Sequence, residues 1–333
     1  MTPLSALPAP ECRLAPDEVR TLVAQACPAH DFRNQRVLLV VPDSTRTAPV
    51  GLLFRAIHDT LAGVARQCDL LVALGTHQPM SEAAICRRLE ITQAERDTTY
   101  RAVRFHNHAW DQPAELRRIG VISQDEIRQL SQGLFALDVP VDVNRLLFDY
   151  DRIIIVGPVF PHEVVGFSGG NKYLFPGVAG PDILNFFHWL GAVITTPRII
   201  GNTWTPVRRV IDRAAAMVDR AKLCFALVVA PDSHLAGLFA GTPEDSWAAA
   251  ADLSRQLHIT LKERPYQTIL SCAPAMYDEI WTAGKCMYKL EPVLADGGEL
   301  IIYAPHIAEV SFTHGKLIET IGYHCRDYFL NQW

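Results

Sequence analysis

No stretch of the 333 residues is apolar for long enough to cross a membrane. The start, Met-Thr-Pro-Leu-Ser, also lacks the charged head and apolar run of a signal peptide. The expectation is a cytoplasmic chain with no membrane partner. Basic runs are missing too. Thirty-one Lys and Arg stand against 36 Asp and Glu, a formal net charge of −5, so nucleic acid is not an expected partner. Cys-x-x-Cys is absent, and the eight cysteines stand singly at 12, 27, 68, 86, 224, 272, 286 and 325. That spacing fits reduced thiols rather than a disulfide frame or a zinc knuckle. Lysine is scarce: there are six, and none precedes Lys172. A preference for arginine codons accounts for the scarcity. A lysine that persists on such a background more often needs a primary amine, which arginine cannot supply. With 49% hydrophobic and 20% charged residues, disorder is excluded and large cores can form.

What is present is an alternation of short apolar runs and helical patterns. Arg36-Val-Leu-Leu-Val-Val-Pro, Asp69-Leu-Leu-Val-Ala-Leu-Gly, Arg152-Ile-Ile-Ile-Val-Gly and Leu223 to Ala230 read as strands buried on both faces, and Arg101 to Phe105 as a short one. Helices are expected over Asp17–Ala26, Pro49–Cys68, Ser81–Leu89, Pro181–Trp189, Thr205–Met217 and Pro243–Leu257. The pattern predicts an α/β fold whose mostly parallel sheet carries helices on both faces. The polar, proline-broken Lys262-Glu-Arg-Pro-Tyr sets a boundary near 260. It divides an N-terminal α/β cofactor-binding domain, 1–260, from the start of a C-terminal α/β substrate domain, 261–333. In the latter, Thr268 to Cys272 and Glu299 to Ala304 read as strands around a helix from Tyr277 to Leu294. The aromatic ending at Trp333 carries no helix stop, so an element truncated there is expected.

Ligands of α/β sheets gather beyond the carboxyl ends of the strands, so polar strand exits come first. Asp43-Ser44-Thr45-Arg46 could cap a helix and offer a fork to an anion, or could be an ordinary capped start. His77, in Gly75-Thr76-His77, could move protons near neutral pH, or could simply bond to backbone. The third exit runs from Gly157 to Gly180, with six glycines, three prolines, His162, Ser168, Gly169, Gly170 and Lys172. Its glycines let backbone N–H groups approach an anion closely. Neither the Walker pattern nor Gly-x-Gly-x-x-Gly occurs in it. His188 follows on an aromatic helix, and Lys285 stands in Thr282-Ala-Gly-Lys285. Alone, His188 would be a packed helix histidine and Lys285 a solvated one.

Taken together, Asp43-x-Thr45-Arg46, Gly75-Thr76-His77, the long Pro161-His162…Gly166-Phe-Ser168-Gly169-Gly170-x-Lys172…Pro176-Gly177 element and His188 resemble the nickel-pincer-nucleotide-dependent lactate racemases. The third element carries most of the specificity. The resemblance implies a nickel-pincer nucleotide (pyridinium-3,5-bisthiocarboxylic acid mononucleotide with nickel) covalently attached at Lys172, with His188 as a nickel ligand. It implies that Asp43, Thr45, Arg46, Ser168, Gly169 and Gly170 seat the nucleotide. His77 and His162 would transfer protons, while Arg46, Lys285 and Thr282 would meet the substrate. Cofactor-biosynthesis proteins and a small 2-hydroxy acid are the implied partners. Hydride removal from C2 to the cofactor ring, with one histidine holding the hydroxyl proton, gives a planar 2-keto acid. Hydride return to the other face inverts the centre. Where the family has Gln-x-x-Lys this chain has Thr282-Ala-Gly-Lys285, which fits a bulkier acid such as a sugar acid better than lactate. Two other classes are a nicotinamide-dependent 2-hydroxy acid dehydrogenase, whose glycine fingerprint is missing, and a non-enzymatic nucleotide- or metal-binding module.

Overall fold

The computed structural model describes residues 2–7 and 13–332, so Cys12 and Trp333 lie outside the described residues. In chain order the main elements are β1 (Leu4–Ala6), α1 (Pro16–Ala26), β2 (Arg36–Pro42), α2 (Val50–Leu61), β3 (Gln67–Ala73), α3 (Glu82–Arg88) and β4 (Phe105–Asn107). There follow β5 (Arg152–Pro158), α4 (Pro181–Ile194), α5 (Pro206–Ala216), β6 (Ala221–Val229), β7 (Leu235–Gly241) and α6 (Pro243–His258). The sheet order is β1-β7-β6-β5-β2-β3-β4. It is parallel from β6 to β4, and β7 is antiparallel to both its neighbours.

Strand β5 shows why the apolar runs become central strands. Ile153 and Ile155 face a core built with α4, α5 and α6, while Ile154 and Val156 face a second core with α1, α2 and α3. Each such side chain contributes about 1.5–3 kcal/mol on burial, which only a strand covered on both faces can collect in full. Threonine caps start two of the covering helices: Thr205 accepts from the Arg208 N–H and Thr242 from the Asp245 N–H, each just before a proline.

The chain steps from β2 outward through β3 to β4, then returns to lay β5 and β6 on the other side of β2. The exits of β2 and β5 therefore diverge at a switch point, which leaves a crevice between them. Both of the polar exits richest in sequence signal open there.

Several local expectations shift. The helix expected over Pro49–Cys68 stops at Leu61, because Gly63 turns at φ +71° and Cys68 joins β3. The strand expected over Arg101–Phe105 begins at Phe105 instead. The expected Tyr277–Leu294 helix is two short pieces, Ile280–Ala283 and Lys285–Tyr288, because Gly284 sits between them and Pro292 follows. Beyond α6 lies a parallel pair, β8 (Tyr266–Cys272) and β9 (Leu294–Tyr303), with Leu270, Ile301 and Tyr303 exposed.

A hairpin that the sequence reading passed over, Leu116–Ile122 with Val139–Asn144, buries Val139, Val141 and Val143. It also braces the end of the glycine loop: the Asn144 N–H donates to Val178 and the Gly180 N–H to Asp142. Nearby, His108 is 1% exposed, donates from Nε2 to the Ala179 carbonyl at 3.0 Å and accepts at Nδ1 from the Asn144 amide at 3.2 Å. Burial pushes its imidazole down to about 4. An unfolded histidine takes its proton near pH 6.5, so between pH 6.5 and 4 the unfolded chain binds more protons than the folded one. Stability is then fully present above pH 6.5 and falls as pH drops through that window, by about 3 kcal/mol from His108 alone. Thermal melts from pH 7.5 to 4.5 should show this decline, and a His108→Gln variant should show a shallower one. An equal slope in both would remove His108 from the account.

Candidate functional site

The β2 exit is organised around a buried carboxylate. Asp43, 6% exposed, holds the Thr45 N–H and hydroxyl on Oδ1 and meets His77 Nδ1 on Oδ2 at 2.5 Å. Burial alone would raise its pKa. The hydrogen bond and charge of His77, with Arg46 and Thr45, outweigh that and hold the carboxyl well below the usual range. The ionised Asp43 therefore takes the Nδ1–H of His77, so that in the neutral ring the lone pair lies on Nε2. Arg46 donates to the Thr45 hydroxyl at 2.8 Å, and its guanidinium stands 5.8 Å from the Phe160 ring centre. The His77 loop is tied to the glycine loop by Gly75 N–H donating to Gly177.

The glycine loop is packed rather than open. At Gly169 (φ +83°) a Cβ would come within 2.5 Å of Val159, and at Gly170 (φ +59°) within 2.9 Å of Trp247, so no other residue fits either place. The Ser168 hydroxyl accepts from Phe160 N–H and donates to Pro158, which closes the loop on itself. Buried Arg208 donates to the carbonyls of Phe167 and Gly169 and lies 4.1 Å from the Trp247 ring centre. Asn171 donates to both Asp212 and Glu244. Neither Arg208 nor Asn171 was singled out from sequence, since each acts through partners some 40 to 70 positions away.

This packing delivers Lys172 on a single 3-10 turn, Gly170–Tyr173. Its ammonium makes no hydrogen bond or ion pair among the described residues. Burial, reinforced by Arg46 and Lys285, holds its pKa well below the ordinary lysine range, so the amine loses its proton readily. A half-buried primary amine that loses its proton readily is a nucleophile.

His162 is 5% exposed, and its Nδ1 accepts from the Val164 N–H at 3.1 Å. Burial, with Lys172, Lys285 and Arg46, holds its pKa well below the ordinary value, so the ring is neutral with its proton on Nε2. Beside it Glu163 forms an ion pair with Lys285, which reaches across from beyond residue 260. Burial would raise the Glu163 carboxyl, yet His162 and Lys285 hold it well below the usual range.

His188, on α4, donates from Nδ1 to the Leu184 carbonyl at 2.8 Å. The residue as a whole is exposed, while neighbouring protein desolvates its ring. Burial there pushes the imidazole down to about 4, leaving Nε2 unprotonated and free to coordinate. No three His, Cys, Asp or Glu side chains gather to hold a metal among the described residues. A metal at His188 must therefore bring its other ligands with a bound group. An acylable amine at Lys172 and a lone imidazole donor at His188 fit a cofactor that carries its own sulfur ligands.

A cleft of about 740 Å³ opens here, with Thr45, Arg46, His162, Glu163, Lys285 and Lys289 among its walls. Glu163, Lys172 and Lys285 act electrostatically on both His162 and His188, and Arg46 acts on His162 and Lys172. Thr282 is turned away, since its hydroxyl donates to Glu279 at 3.0 Å and Glu279 in turn takes the Phe312 N–H.

Residues 23–199 match the family described as the lactate racemase N-terminal domain. The lactate racemase of Lactiplantibacillus plantarum is 22% identical over 277 residues, 81% of this chain and 60% of that protein. That of Thermoanaerobacterium thermosaccharolyticum is 27% identical over 172 residues, 49% of this chain and 39% of that protein. The chain thus spans at most about 60% of the length of these curated relatives. Among solved structures, a Thermotoga maritima protein superposes with a TM-score of 0.87 at 30% identity, covering 96% of this chain and 79% of that one. The lactate racemase apoprotein of Thermoanaerobacterium thermosaccharolyticum superposes at 0.69 and 18% identity, covering 87% and 67%, and shares the fold. A family match over more than half of the residues, on the same sheet exits that build the cleft, places this chain in the lactate racemase N-terminal domain family.

Proposed function

We propose that the protein is a racemase or epimerase that inverts C2 of a 2-hydroxy acid, using a nickel-pincer nucleotide attached at Lys172. The observation that carries this is Lys172 itself, a half-buried, unpaired and readily neutral amine on a glycine loop, beside a histidine with a free Nε2. Lys172 would hold the cofactor through an amide-type link and His188 would ligate its metal. Arg46, Thr45 and the Ser168–Gly170 backbone line the nucleotide's seat. When bound, the group supplies a hydride acceptor that no side chain can supply.

The chain's own residues do the rest. Arg46 and Lys285 are the cations placed to take the substrate carboxylate. His77, with Nε2 free and Asp43 behind it, accepts the hydroxyl proton of one enantiomer. His162 does the same for the other. The walls around His162 keep bulk water from the planar keto acid between the two transfers. A cleft of about 740 Å³ is large for lactate, and with Thr282 turned onto Glu279 it leaves room for a longer acid such as a sugar acid. Cofactor-making proteins are the partners this chemistry requires.

The protein purified from a cofactor-making host should contain close to one nickel per chain. It should also interconvert the C2 epimers of D-gluconate, D-lactate or L-lactate, followed by polarimetry or chiral chromatography. His188→Ala should lose most of the nickel while circular dichroism stays native. Unchanged nickel occupancy in that variant would remove His188 as the metal ligand.

A further inference from the structure

The two histidines sit in opposite proton arrangements, and the difference traces to their carboxylates. Asp43 is free to take the Nδ1–H of His77. Glu163 directly follows His162 in sequence, yet its Oε1 is committed to Lys285 and its Oε2 lies 3.5 Å from His162 Nδ1. In its place the Val164 N–H donates to that nitrogen. His162 therefore shows a protonated Nε2 to the cleft, which cannot accept a proton, while Asp43 holds the Nδ1–H of His77 and directs the lone pair of a neutral ring to Nε2. We infer that Glu163 is a positioning residue that couples substrate capture at Lys285 to the proton arrangement of His162: when Lys285 turns to a substrate carboxylate, Glu163 takes the Nδ1–H of His162 and Nε2 becomes a base.

The protons balance. One leaves Nε2 to cleft water, one is taken up at Nδ1, and the ring stays neutral. The Val164 N–H gives up its acceptor as the carboxylate replaces it. The charged groups around His162 are Glu163, Lys172, Lys285 and Arg46. Among them Glu163 is the lone anion, and so the one of these groups that can accept an Nδ1–H. Lys285 comes from beyond the residue-260 boundary and Glu163 from the glycine-loop segment, so the pair also links the two parts of the chain. The mechanism rests on the proposed racemase reading for its substrate, but the coupling between Lys285, Glu163 and His162 does not.

The test is ¹⁵N NMR of the full chain labelled at histidine, with His162 assigned by its loss in His162→Asn. In the free wild type, Nδ1 should resonate as an unprotonated acceptor and Nε2 as protonated. Lys285→Met frees Glu163 and should move the proton to Nδ1 with no ligand added. Lys285→Met with Glu163→Met removes both partners and should restore Nε2–H, since Val164 is then the remaining partner of Nδ1. An unchanged His162 in Lys285→Met overturns the coupling. Saturating D-gluconate or L-lactate should move the wild-type ring as Lys285→Met does. A response to Lys285→Met with none to either acid removes Lys285 as the carboxylate anchor and leaves the residue coupling standing. In the loaded enzyme, Glu163→Gln should lower kcat by roughly 10–10²-fold, the usual worth of such a supporting group, without raising KM. A purely structural role would instead move both parameters or neither.

Discussion

Lys172→Ala should yield a folded protein that carries no covalent adduct and has no racemase activity above background. Intact-mass measurement of wild type from a cofactor-making host should show the added nucleotide on Lys172, and the variant should show the bare chain mass. No lysine precedes Lys172, and the next lysine, Lys222, already donates to the Val218 carbonyl at 2.7 Å. Removal of the amine should also leave the unloaded protein more stable. Burial, Arg46, Lys285 and Arg208 oppose the Lys172 ammonium and hold its pKa well below the ordinary lysine value, so below that value the fold bears a cost for this proton that the unfolded chain does not. Alanine removes that cost. The variant's thermal midpoint should therefore rise at pH 7, and the gain should shrink as pH climbs toward the ordinary lysine pKa. Active protein with unmodified Lys172 would end the assignment of the covalent site.

His77→Ala and His162→Ala should each slow racemisation in both directions by roughly 10²–10⁴-fold, the usual worth of one general acid–base group. Inversion needs each histidine once as acceptor and once as donor, so neither direction survives alone. Half-reactions should separate the two: a variant lacking one histidine can still oxidise the enantiomer served by the other, which leaves a 2-keto acid detectable by trapping. Asp43→Asn should resemble His77→Ala, because the amide can offer a hydrogen to Nδ1 and so turn the His77 ring to the wrong arrangement. Substrate deuterated at C2 should show a primary isotope effect and keep its label in the product. Exchange of that deuterium with solvent would point to proton removal from carbon and end the hydride mechanism, even with both histidines essential.

Much of the architecture was legible from local pattern. Ile153–Val156 is apolar at consecutive positions, and a short run of that kind is stable only as a strand covered on both faces, so the layered α/β plan follows. The glycine loop was legible because Gly169 and Gly170 hold positive φ against Val159 and Trp247, a demand that shows directly in residue type. Lys172 stood out by its isolation and His188 by its distance from the loop. The Leu116–Ile122 hairpin could have been found from the alternation Val139-Pro-Val-Asp-Val. The broken helix around Gly284 could also have been read from its glycine and the later proline.

What tertiary structure alone decided was which of these residues work together. Asp43 and His77 are 34 positions apart and share a 2.5 Å contact because β2 and β3 are parallel neighbours whose exits open on the same edge. The site lies between β2 and β5 because the chain reverses its direction of sheet growth there, which strand identity alone does not specify. The proton arrangement of His162 depends on a Glu163–Lys285 pair that spans 122 positions. Thr282 was read as a substrate contact from its place three residues before Lys285, but its hydroxyl went to Glu279. Local pattern sets which backbone each segment adopts and which side chains are available. Charge state and partnership arise only when distant segments exclude water together, because burial and neighbouring charges, not residue type, set where a proton rests.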